Sequence, residues 1–435
     1  MKGQQRYVAQ GSVQQKKGGT GQAARRPRQQ GEHNQTPLAH NKECHDTRDQ
    51  HSRLMESLFA AKNVPLDATQ VLEDFGRIVD SVSPLPAQKR EELPRYINEM
   101  SRLLTSCRGE RRVGYMNSLD LQAAYVRYFC WWNLVRLTRL FSNITPSFFD
   151  FDNGDIAVDV GSGPLTLPIA LYLARPDLRE KQLTWYCTDL SQSVLKLGER
   201  LLDRVQRATG GGAWQVVRVQ GALDVPLKRK AALVSCANFL NELVHSKKDE
   251  GRLCDKITRS LLSHLSDGDE RSRLLLVEPG DPASSARLTR LRGHLIEWGF
   301  YPASPCTHSG VCPMSGKWTD SGKWCNFVFD TRDAPVGLKE LSCQAGLGKR
   351  RASLSFVAMQ RGKGCAKKED ALNLRVTGGR MHLEGEGAGW YACCKNGLVV
   401  AQSKMRLSSG DLVCAPSTQK PVDKDGKTGL DIIRV

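Results

Sequence analysis

The spacing of apolar residues changes along the chain and marks out its segments. Residues 1–50 are rich in Gln, Gly, Lys and Arg and poor in aliphatic side chains. Such a segment cannot bury enough apolar surface to offset the entropy lost on ordering, so we expect a disordered basic tail. Residues 51–150 carry apolar side chains at helical spacing, as at Leu54 and Leu58, and predict a helical region.

The longest helical run in that region is Leu119–Phe141, and it carries a stripe of aromatic residues and leucines. A stripe of this kind predicts a buried helix face. Arg127, Arg136 and Arg139 fall on the other face. We expect these three arginines to be solvated, with contact to phosphate as the alternative.

An alternation of strands and helices begins at Asp155 and continues to about Phe300. Short apolar, β-branched runs predict the strands, and the stretches between them have helical spacing. This alternation predicts an α/β domain with a doubly wound parallel sheet, which we bound at residues 151–362. The five predicted strands are 155–160, 183–188, 214–219, 231–236 and 273–278.

The first strand ends in a glycine turn, Asp159-Val-Gly-Ser-Gly163. Because glycine has no side chain, a ligand can approach the backbone and the N-terminus of the next helix. The second strand ends at Asp189, where nucleotide-binding βαβ units place an acid against a ribose. This order resembles the cofactor loop of class I S-adenosylmethionine (SAM)-dependent methyltransferases. The predicted SAM-binding residues here are Asp159, Gly161, Gly163 and Asp189, with an unliganded α/β turn as the alternative.

Polar side chains also follow the fourth and fifth strands. The fourth leads into Asn241 and Glu242, and the fifth ends at Glu278. Ligands of doubly wound sheets bind at the carboxyl ends of the strands, so all three residues fall on that edge. We predict that Asn241 and Glu242 contribute to SAM binding. Helix capping and turn chemistry are the alternative for each of the three.

The net charge of +17 and the isoelectric point near 9.4 predict a polyanionic partner, with nucleic acid as the first candidate. The first 31 residues carry seven Lys or Arg and no acid, which leaves a charge of +10 on the rest of the chain. A solvated basic surface is the alternative. The sequence shows neither a membrane-spanning apolar run nor a signal-peptide core, so we expect no membrane association.

The 14 cysteines, without a secretion signal, argue for a reducing compartment, where clustered cysteines more often bind metal than form disulfides. Cys306, Cys312 and Cys325 lie in a loop, 303–327, that is rich in glycine, proline and serine. The gaps between them are longer than the Cys-x₂₋₄-Cys spacing of many zinc sites and favour an iron–sulfur cluster, with zinc as the alternative. Candidates for a fourth ligand are His308, Cys343, Cys365, Cys393 and Cys394.

The remaining chain predicts β structure. Segments 326–330 and 352–360 are strand-like and are expected to form the antiparallel hairpin that closes a class I methyltransferase sheet. Residues 363–435 predict a small β module with a tight hairpin turn at Asn396-Gly397. From Lys420 the chain is charged and glycine-containing, and we expect a loose end.

One family combines these motifs in this order. The sequence resembles the methyltransferase-like small-ribosomal-subunit proteins, which comprise mitochondrial assembly factors and their bacterial relatives. The resemblance covers about residues 110–400 and lacks only an acidic run, replaced here by the basic Gly348–Arg351. The matching segments are Asp159–Pro164, Leu240–Leu243, Val277–Gly280, Cys306–His308, Cys312-Pro313, Trp324–Phe327, Ser353–Arg361 and Cys393–Gly397.

The resemblance implies a class I SAM fold that associates with the small ribosomal subunit, or its precursor, through ribosomal RNA. It also implies a [4Fe-4S] cluster that attaches the last module to the sheet. Cys393 is preferred to Cys394 because it keeps the family's spacing to Gly397. The implied cluster ligands are Cys306, Cys312, Cys325 and Cys393.

Whether the protein is an enzyme stays open, and no catalytic residue is assigned. The sequence has no Asn-Pro-Pro-aromatic segment of the kind that amino-methylating enzymes use, and Cys236 lacks the Pro-Cys context of a nucleophile. The main hypothesis is therefore an RNA-binding assembly or translation factor. The alternatives are an active ribosomal RNA methyltransferase and a zinc-stabilised methyltransferase unrelated to ribosomes.

Localisation rests on the absence of a convincing targeting segment in the first residues. This absence favours the bacterial cytoplasm. The family resemblance makes the mitochondrial matrix the alternative.

Overall fold

The computed structural model describes residues 53–107, 114–243, 250–266, 268–314, 322–362, 371–383 and 387–435. The basic tail predicted for residues 1–50 and the candidate ligand Cys365 lie outside the described residues. In the described part of the chain, no helix has the length and the apolar character needed to cross a membrane.

The described chain begins with a strand, β1 (Arg53–Ser57), and not with a helix. The predicted helical pattern at Leu54 and Leu58 is therefore wrong at this point. β1 pairs antiparallel with β13 (Asp411–Pro416), close to the other end of the chain. Local spacing cannot reveal a strand whose partner is so distant in sequence.

Five α-helices follow β1 in the described residues, and most of the run predicted at Leu119–Phe141 belongs to two of them. A π-helical turn, Tyr125–Cys130, separates these two helices. The apolar side chains of the run pack in the same core as the neighbouring sheet. The helices are α1 (Leu66–Glu73), α2 (Phe75–Val82), α3 (Ala87–Leu104), α4 (Leu119–Ala124) and α5 (Trp131–Phe141).

The arginines of this run are not a solvated face. Arg127 and Arg139 are buried and form ion pairs with Asp80 and Asp333. Arg136 donates to a main-chain carbonyl of the central sheet at 3.0 Å. The prediction of solvation is wrong because the acceptors come from other elements of the fold, which cover this face of the helix.

The central sheet has eight strands in the order β4-β3-β2-β5-β6-β9-β7, with β8 paired to β9. The first five strands are parallel, and β9 runs antiparallel to its three partners β6, β7 and β8. This is the class I SAM methyltransferase-like α/β fold, and the predicted fold class is confirmed. The strands are β2 (Ile156–Val160), β3 (Thr184–Asp189), β4 (Gln215–Gln220), β5 (Leu233–Ala237), β6 (Arg273–Glu278), β7 (Phe300–Ser304), β8 (Phe327–Asp330) and β9 (Arg351–Arg361).

The inner strands β2, β5 and β6 are buried because helices cover both faces of the sheet, as expected for parallel strands. On β2, Ala157 packs into the core formed with α5, while Ile156 and Val158 pack into the core on the opposite face. The helices that follow α5 are α6 (Thr166–Ala174), α7 (Gln192–Thr209), α8 (Glu250–Leu262), α9 (Pro282–Glu297) and α10 (Val336–Gln344).

The antiparallel closure of the sheet differs from the prediction. β8 and β9 do pair, as expected for segments 326–330 and 352–360. The strand that extends the sheet beyond β9 is, however, β7, which the sequence did not predict. Pro302 lies inside β7. Because proline is tolerated in a strand mainly at a sheet edge, its presence argued against a strand at this point of the sequence.

A second sheet of seven strands contains the C-terminal residues, in the order β1-β13-β10-β11-β12-β15-β14. The predicted hairpin is present, but pairing of Cys394 with Gly397 places its turn at 395–396, one residue early. The loose end expected from Lys420 is wrong, because β15 pairs with β12. The remaining strands are β10 (Ala371–His382), β11 (Ala388–Cys394), β12 (Gly397–Ser403), β14 (Asp423–Lys424) and β15 (Asp431–Arg434).

Candidate functional site

A cavity of about 310 Å³ opens at the carboxyl ends of β2, β3 and β5. This is the point where the strand order reverses, because β3 lies on one side of β2 and β5 on the other. Doubly wound sheets bind their ligands at such a point. We call this the glycine-loop cavity, and its lining includes Tyr115, Gly161, Gly163, Asp189, Phe239 and Glu242.

The two glycines of the loop have different surroundings. Gly161 has φ +67°, and a Cβ built on it would lie 2.4 Å from the ring of Phe239. Gly163 has φ +53°, and a Cβ there would meet no neighbouring atom within 4 Å. Gly161 therefore lets the loop after β5 pack against the loop after β2, while Gly163 leaves backbone accessible to a ligand.

Asp189 is fixed at the wall of the cavity by main-chain donors. Its two carboxylate oxygens accept from the N–H groups of Gly163 at 3.0 Å and Ser191 at 2.9 Å. Burial raises the pKa of this carboxyl, and the two N–H donors oppose that rise. Each oxygen keeps a further lone pair, which suits the hydroxyl groups of a ribose.

Asp159 lies behind the loop and not on the cavity wall. It is only 1% exposed, and its carboxylate accepts from the Ser235 hydroxyl of β5 at 2.7 Å. Burial raises its pKa to about 7. Asp159 is therefore placed to stabilise the glycine loop and not to line the cavity.

Asn241 and Glu242 are separated by the structure. Asn241 is not among the cavity-lining residues, and its side-chain amide donates to Glu278 at 2.9 Å. Glu278 also accepts from the N–H groups of Leu240 at 2.9 Å and Asn241 at 3.1 Å. Glu242 does line the cavity, and the Tyr115 hydroxyl donates to it at 3.2 Å.

Glu278 is 1% exposed, and burial raises its pKa to about 7, while its three N–H donors oppose that rise. It therefore fixes the segment that carries Glu242. Tyr115 and Phe239 were not predicted as site residues. Phe239 could have been suspected from its position just after a strand end, but Tyr115 lies in a turn with no signal of its own.

A second, smaller cavity lies between the two sheets. It is lined by all four cysteines that the resemblance implies as ligands, together with His308, Arg292 and Arg375. Cys306 follows β7, Cys312 lies six residues further, Cys325 precedes β8, and Cys393 lies on β11. The central sheet thus contributes three of the thiols and the C-terminal sheet one. We call this the cysteine cavity.

Of the other described candidates for a fourth ligand, the two cysteines lie away from the cavity and His308 lines it. Cys394 packs in the core of the C-terminal sheet, on the opposite side of β11 from Cys393. This follows from the alternation of side chains along a strand. Cys343 is exposed on α10. His308 lines the cavity, with its Nε2 3.5 Å from the Cys393 sulfur.

Burial dominates the electrostatics of the cysteine cavity. It raises the pKa values of Cys325 and Cys393, and the neighbouring cysteines raise them further. It lowers the pKa of His308 to about 4, so that this imidazole is neutral at pH 7. Soft thiolates with an imidazole are a donor set for zinc or an iron–sulfur cluster.

Among the described residues, no three His, Cys, Asp or Glu side chains converge closely enough to hold a single metal ion. The thiolates of a [4Fe-4S] cluster each bind a different iron, whereas four thiolates on zinc share one ion.

Helix α9 contacts the loops of both cavities. Arg287 donates to the carbonyl of Leu240 at 2.6 Å, beside the glycine-loop cavity. Ser285 donates to the main chain of the cysteine loop at 2.8 Å. Arg292 donates to a cysteine sulfur at 3.2 Å. One helix thus positions both sites.

One family of known proteins matches the sequence. It is described as mitochondrial small ribosomal subunit Rsm22, and the match covers residues 123–362, more than half of the chain. The matched range includes the glycine loop and three of the four cysteines of the cysteine cavity. No curated protein sequence is significantly similar to the chain.

Several solved structures are similar to about half of the chain. YjhP from E. coli is 11% identical, with 53% of this chain and 92% of that chain covered and a TM-score of 0.30. A SAM-dependent methyltransferase from Geobacter sulfurreducens, in complex with S-adenosyl-L-homocysteine, is 13% identical, with 53% and 90% covered and a TM-score of 0.29. One from Thiobacillus denitrificans, in the same kind of complex, is 12% identical, with 53% and 91% covered and a TM-score of 0.30.

Proposed function

Because the chain belongs to the mitochondrial small ribosomal subunit Rsm22 family, we propose that it associates with the small ribosomal subunit or its precursor and acts in assembly or translation. The family match over residues 123–362 carries this proposal. The net charge of +17 supports contact with ribosomal RNA, since basic surfaces attract polyanions.

The proposed ligand of the glycine-loop cavity is SAM. Gly163 offers an accessible backbone, and Asp189 and Glu242 present carboxylates at the cavity wall. Asp159 and Asn241, which the sequence also assigned to SAM, support the loops through Ser235 and Glu278. We therefore propose direct contact for Gly161, Gly163, Asp189 and Glu242, and a positioning role for Asp159 and Asn241.

The proposed occupant of the cysteine cavity is a [4Fe-4S] cluster held by Cys306, Cys312, Cys325 and Cys393. The observation that supports it is that four thiols, three from the loop between β7 and β8 and one from β11, line the same cavity. Such a cluster would supply a covalent link between the sheets rather than a reaction step. Zinc is the alternative occupant.

We place the protein in the mitochondrial matrix. The description of the family names a mitochondrial ribosomal subunit. The bacterial cytoplasm, which the sequence favoured, has no comparable support. The family description therefore makes the mitochondrial matrix the main proposal and the bacterial cytoplasm the alternative.

A second candidate function is methyl transfer to ribosomal RNA, which rests on the glycine loop with Gly161 and Gly163 and on Asp189 at the wall of the same cavity. Cys236 does not supply a nucleophile for it, because the side chain is fully buried and burial raises its thiol pKa. The two functions are distinguished by incubating the full chain with isolated small subunits and with SAM that carries a tritiated methyl group. We expect SAM to bind without transfer of label, and transfer to ribosomal RNA would establish the enzyme instead.

The occupant of the cysteine cavity is tested by anaerobic purification of the full chain, followed by iron, sulfide and zinc analysis. We expect a brown protein with about four irons per chain, the number that a [4Fe-4S] cluster requires. A colourless protein with one zinc per chain would show that zinc, and not a cluster, occupies the cavity. The proposed association with the ribosome would then be tested separately by subunit binding.

A further inference from the structure

Arg292 is the main contact between α9 and the cysteine loop. It is 3% exposed, and its Nε donates to the Cys306 sulfur at 3.2 Å. Its two Nη groups donate to the carbonyls of Gly310 at 2.9 Å and His308 at 2.5 Å. The guanidinium thus reaches both the sulfur of a proposed ligand and the loop that carries it.

The charge of Arg292 lacks a carboxylate counter-ion among the described residues, since none lies within ion-pairing distance. Arg375, the other guanidinium that lines the cysteine cavity, differs in this respect because it pairs with Glu56 at 3.2 Å. A buried guanidinium without an opposite charge is costly. The cysteine cavity therefore has an excess of positive charge as long as its thiols are protonated.

We propose that Arg292 is the counter-ion and a hydrogen-bond donor of an anionic metal–thiolate group in the cysteine cavity. The inference rests on the proposed cysteine site and adds to it a residue that sets the properties of the bound group. Deprotonated cysteines make such a group anionic. A hydrogen bond to sulfur and a nearby positive charge favour its reduced, more negative state, and so raise its reduction potential.

Three variants of the full chain test this role. Arg292→Gln removes the charge and keeps a polar side chain. Arg292→Lys keeps the charge but loses the forked donors. Arg290→Gln is the matched control, because Arg290 lies on the same helix, is 42% exposed and pairs with Glu250. All are purified anaerobically and compared with wild type by metal analysis, by loss of metal to a chelator, and by an EPR-monitored redox titration.

We expect Arg292→Gln to lose metal about tenfold faster than wild type, the lower end of typical outer-sphere effects. We also expect a tenfold lower ratio of reduced to oxidised cluster, which is a midpoint about 59 mV more negative for a one-electron couple. Arg292→Lys should shift in the same direction by less, and it decides the matter if Arg292→Gln does not fold. Arg290→Gln should match wild type.

Each contrary result has a distinct meaning. If wild type holds a cluster and both Arg292 variants keep its potential and its rate of metal loss, Arg292 only braces the loop and the inference is wrong. If wild type holds zinc, the proposed cluster is wrong, and the rate of zinc loss alone tests the counter-ion. If wild type holds neither metal, the cysteine site itself fails and the inference fails with it.

Discussion

At the scale of single residues, Gly161 is the position where the glycine-loop cavity tolerates least change. A Cβ there would lie 2.4 Å from Phe239, and the backbone has φ +67°. We expect Gly161→Ala to displace the loop after β5 and to weaken SAM binding at least about tenfold, or about 1.4 kcal/mol. Isothermal titration calorimetry measures this.

The control for Gly161→Ala is Gly154→Ala. Gly154 also has a positive φ, +87°, but a Cβ there would meet no neighbouring atom within 4 Å. This variant carries the backbone strain without the clash, and we expect it to bind SAM like wild type. Equal SAM affinity in both variants and wild type would reject the assignment of the loop.

Cys393 and Cys394 are neighbours in sequence and differ in the side of β11 on which they lie. We expect Cys393→Ala to lose most of its iron, because one of four ligands is removed. Cys394→Ala should keep its iron and lose only some stability. Iron analysis compares the two variants. Iron loss from Cys394→Ala alone would show that Cys394, and not Cys393, is the fourth ligand.

Asp159 makes stability depend on pH. Burial raises its folded-state pKa from 3.8 to about 7, so between those values the folded protein binds more protons than the unfolded chain. The free energy of unfolding contributed by Asp159 is therefore lost as pH rises through this window. Urea unfolding from pH 4.5 to 7.5 should show a flatter decline for Asp159→Asn than for wild type. An identical slope would mean that Asp159 is ionised throughout.

Residue chemistry was predictable where a short motif fixes the backbone. Gly161, Gly163 and Asp189 follow strand ends, and all three line the predicted cavity. Asn241 and Asp159 belong to the same motifs, but their side chains are bound by Glu278 and Ser235. Those contacts join separate strands, so sequence order could not distinguish a lining residue from a supporting one.

At the scale of elements, the basic segment that leads into β9 is exposed at Lys349, Arg350 and Arg351. The Lys349 ammonium also lies 5.2 Å from the ring centres of both Tyr128 and Trp132. Lys349 therefore differs from the two arginines in this aromatic contact, and the arginines are the first residues to test in the segment predicted to contact RNA.

Replacement of Arg350 and Arg351 by alanine should weaken RNA binding and reduce its salt dependence. Each lost phosphate contact lowers the slope of log K against log salt by about 1. Lys349→Ala is the comparison, and we expect it to reduce the slope less, because the Lys349 ammonium lies over the rings of Tyr128 and Trp132. Filter binding of small-subunit RNA across a salt series measures the slope, and an unchanged slope in the double variant would mark the two arginines as merely solvated.

Strand prediction succeeded for β2 to β6, and for β2, β5 and β6 the reason is that continuous apolar runs between helices are typical of buried parallel strands. It failed for β1, whose partner β13 is remote, and for β7, which contains Pro302. Both lie at the edge of their sheets, where the patterns are weakest.

At the scale of the whole molecule, the cysteine cavity joins elements that the sequence separates widely. Three thiols come from the central sheet and Cys393 from the C-terminal sheet, while α9 connects this cavity to the glycine loop region. Four cysteines with irregular spacing did not by themselves predict this convergence, which came from the family resemblance.

Sedimentation tests whether the chain associates with the small ribosomal subunit. The full chain, purified anaerobically, is mixed with isolated mitochondrial small or large subunits and separated on a sucrose gradient. We predict that it migrates with the small subunit only, and that rising salt releases it, because basic contacts with RNA weaken with salt. A chain that stays at the top of the gradient, or binds both subunits equally, would contradict the account.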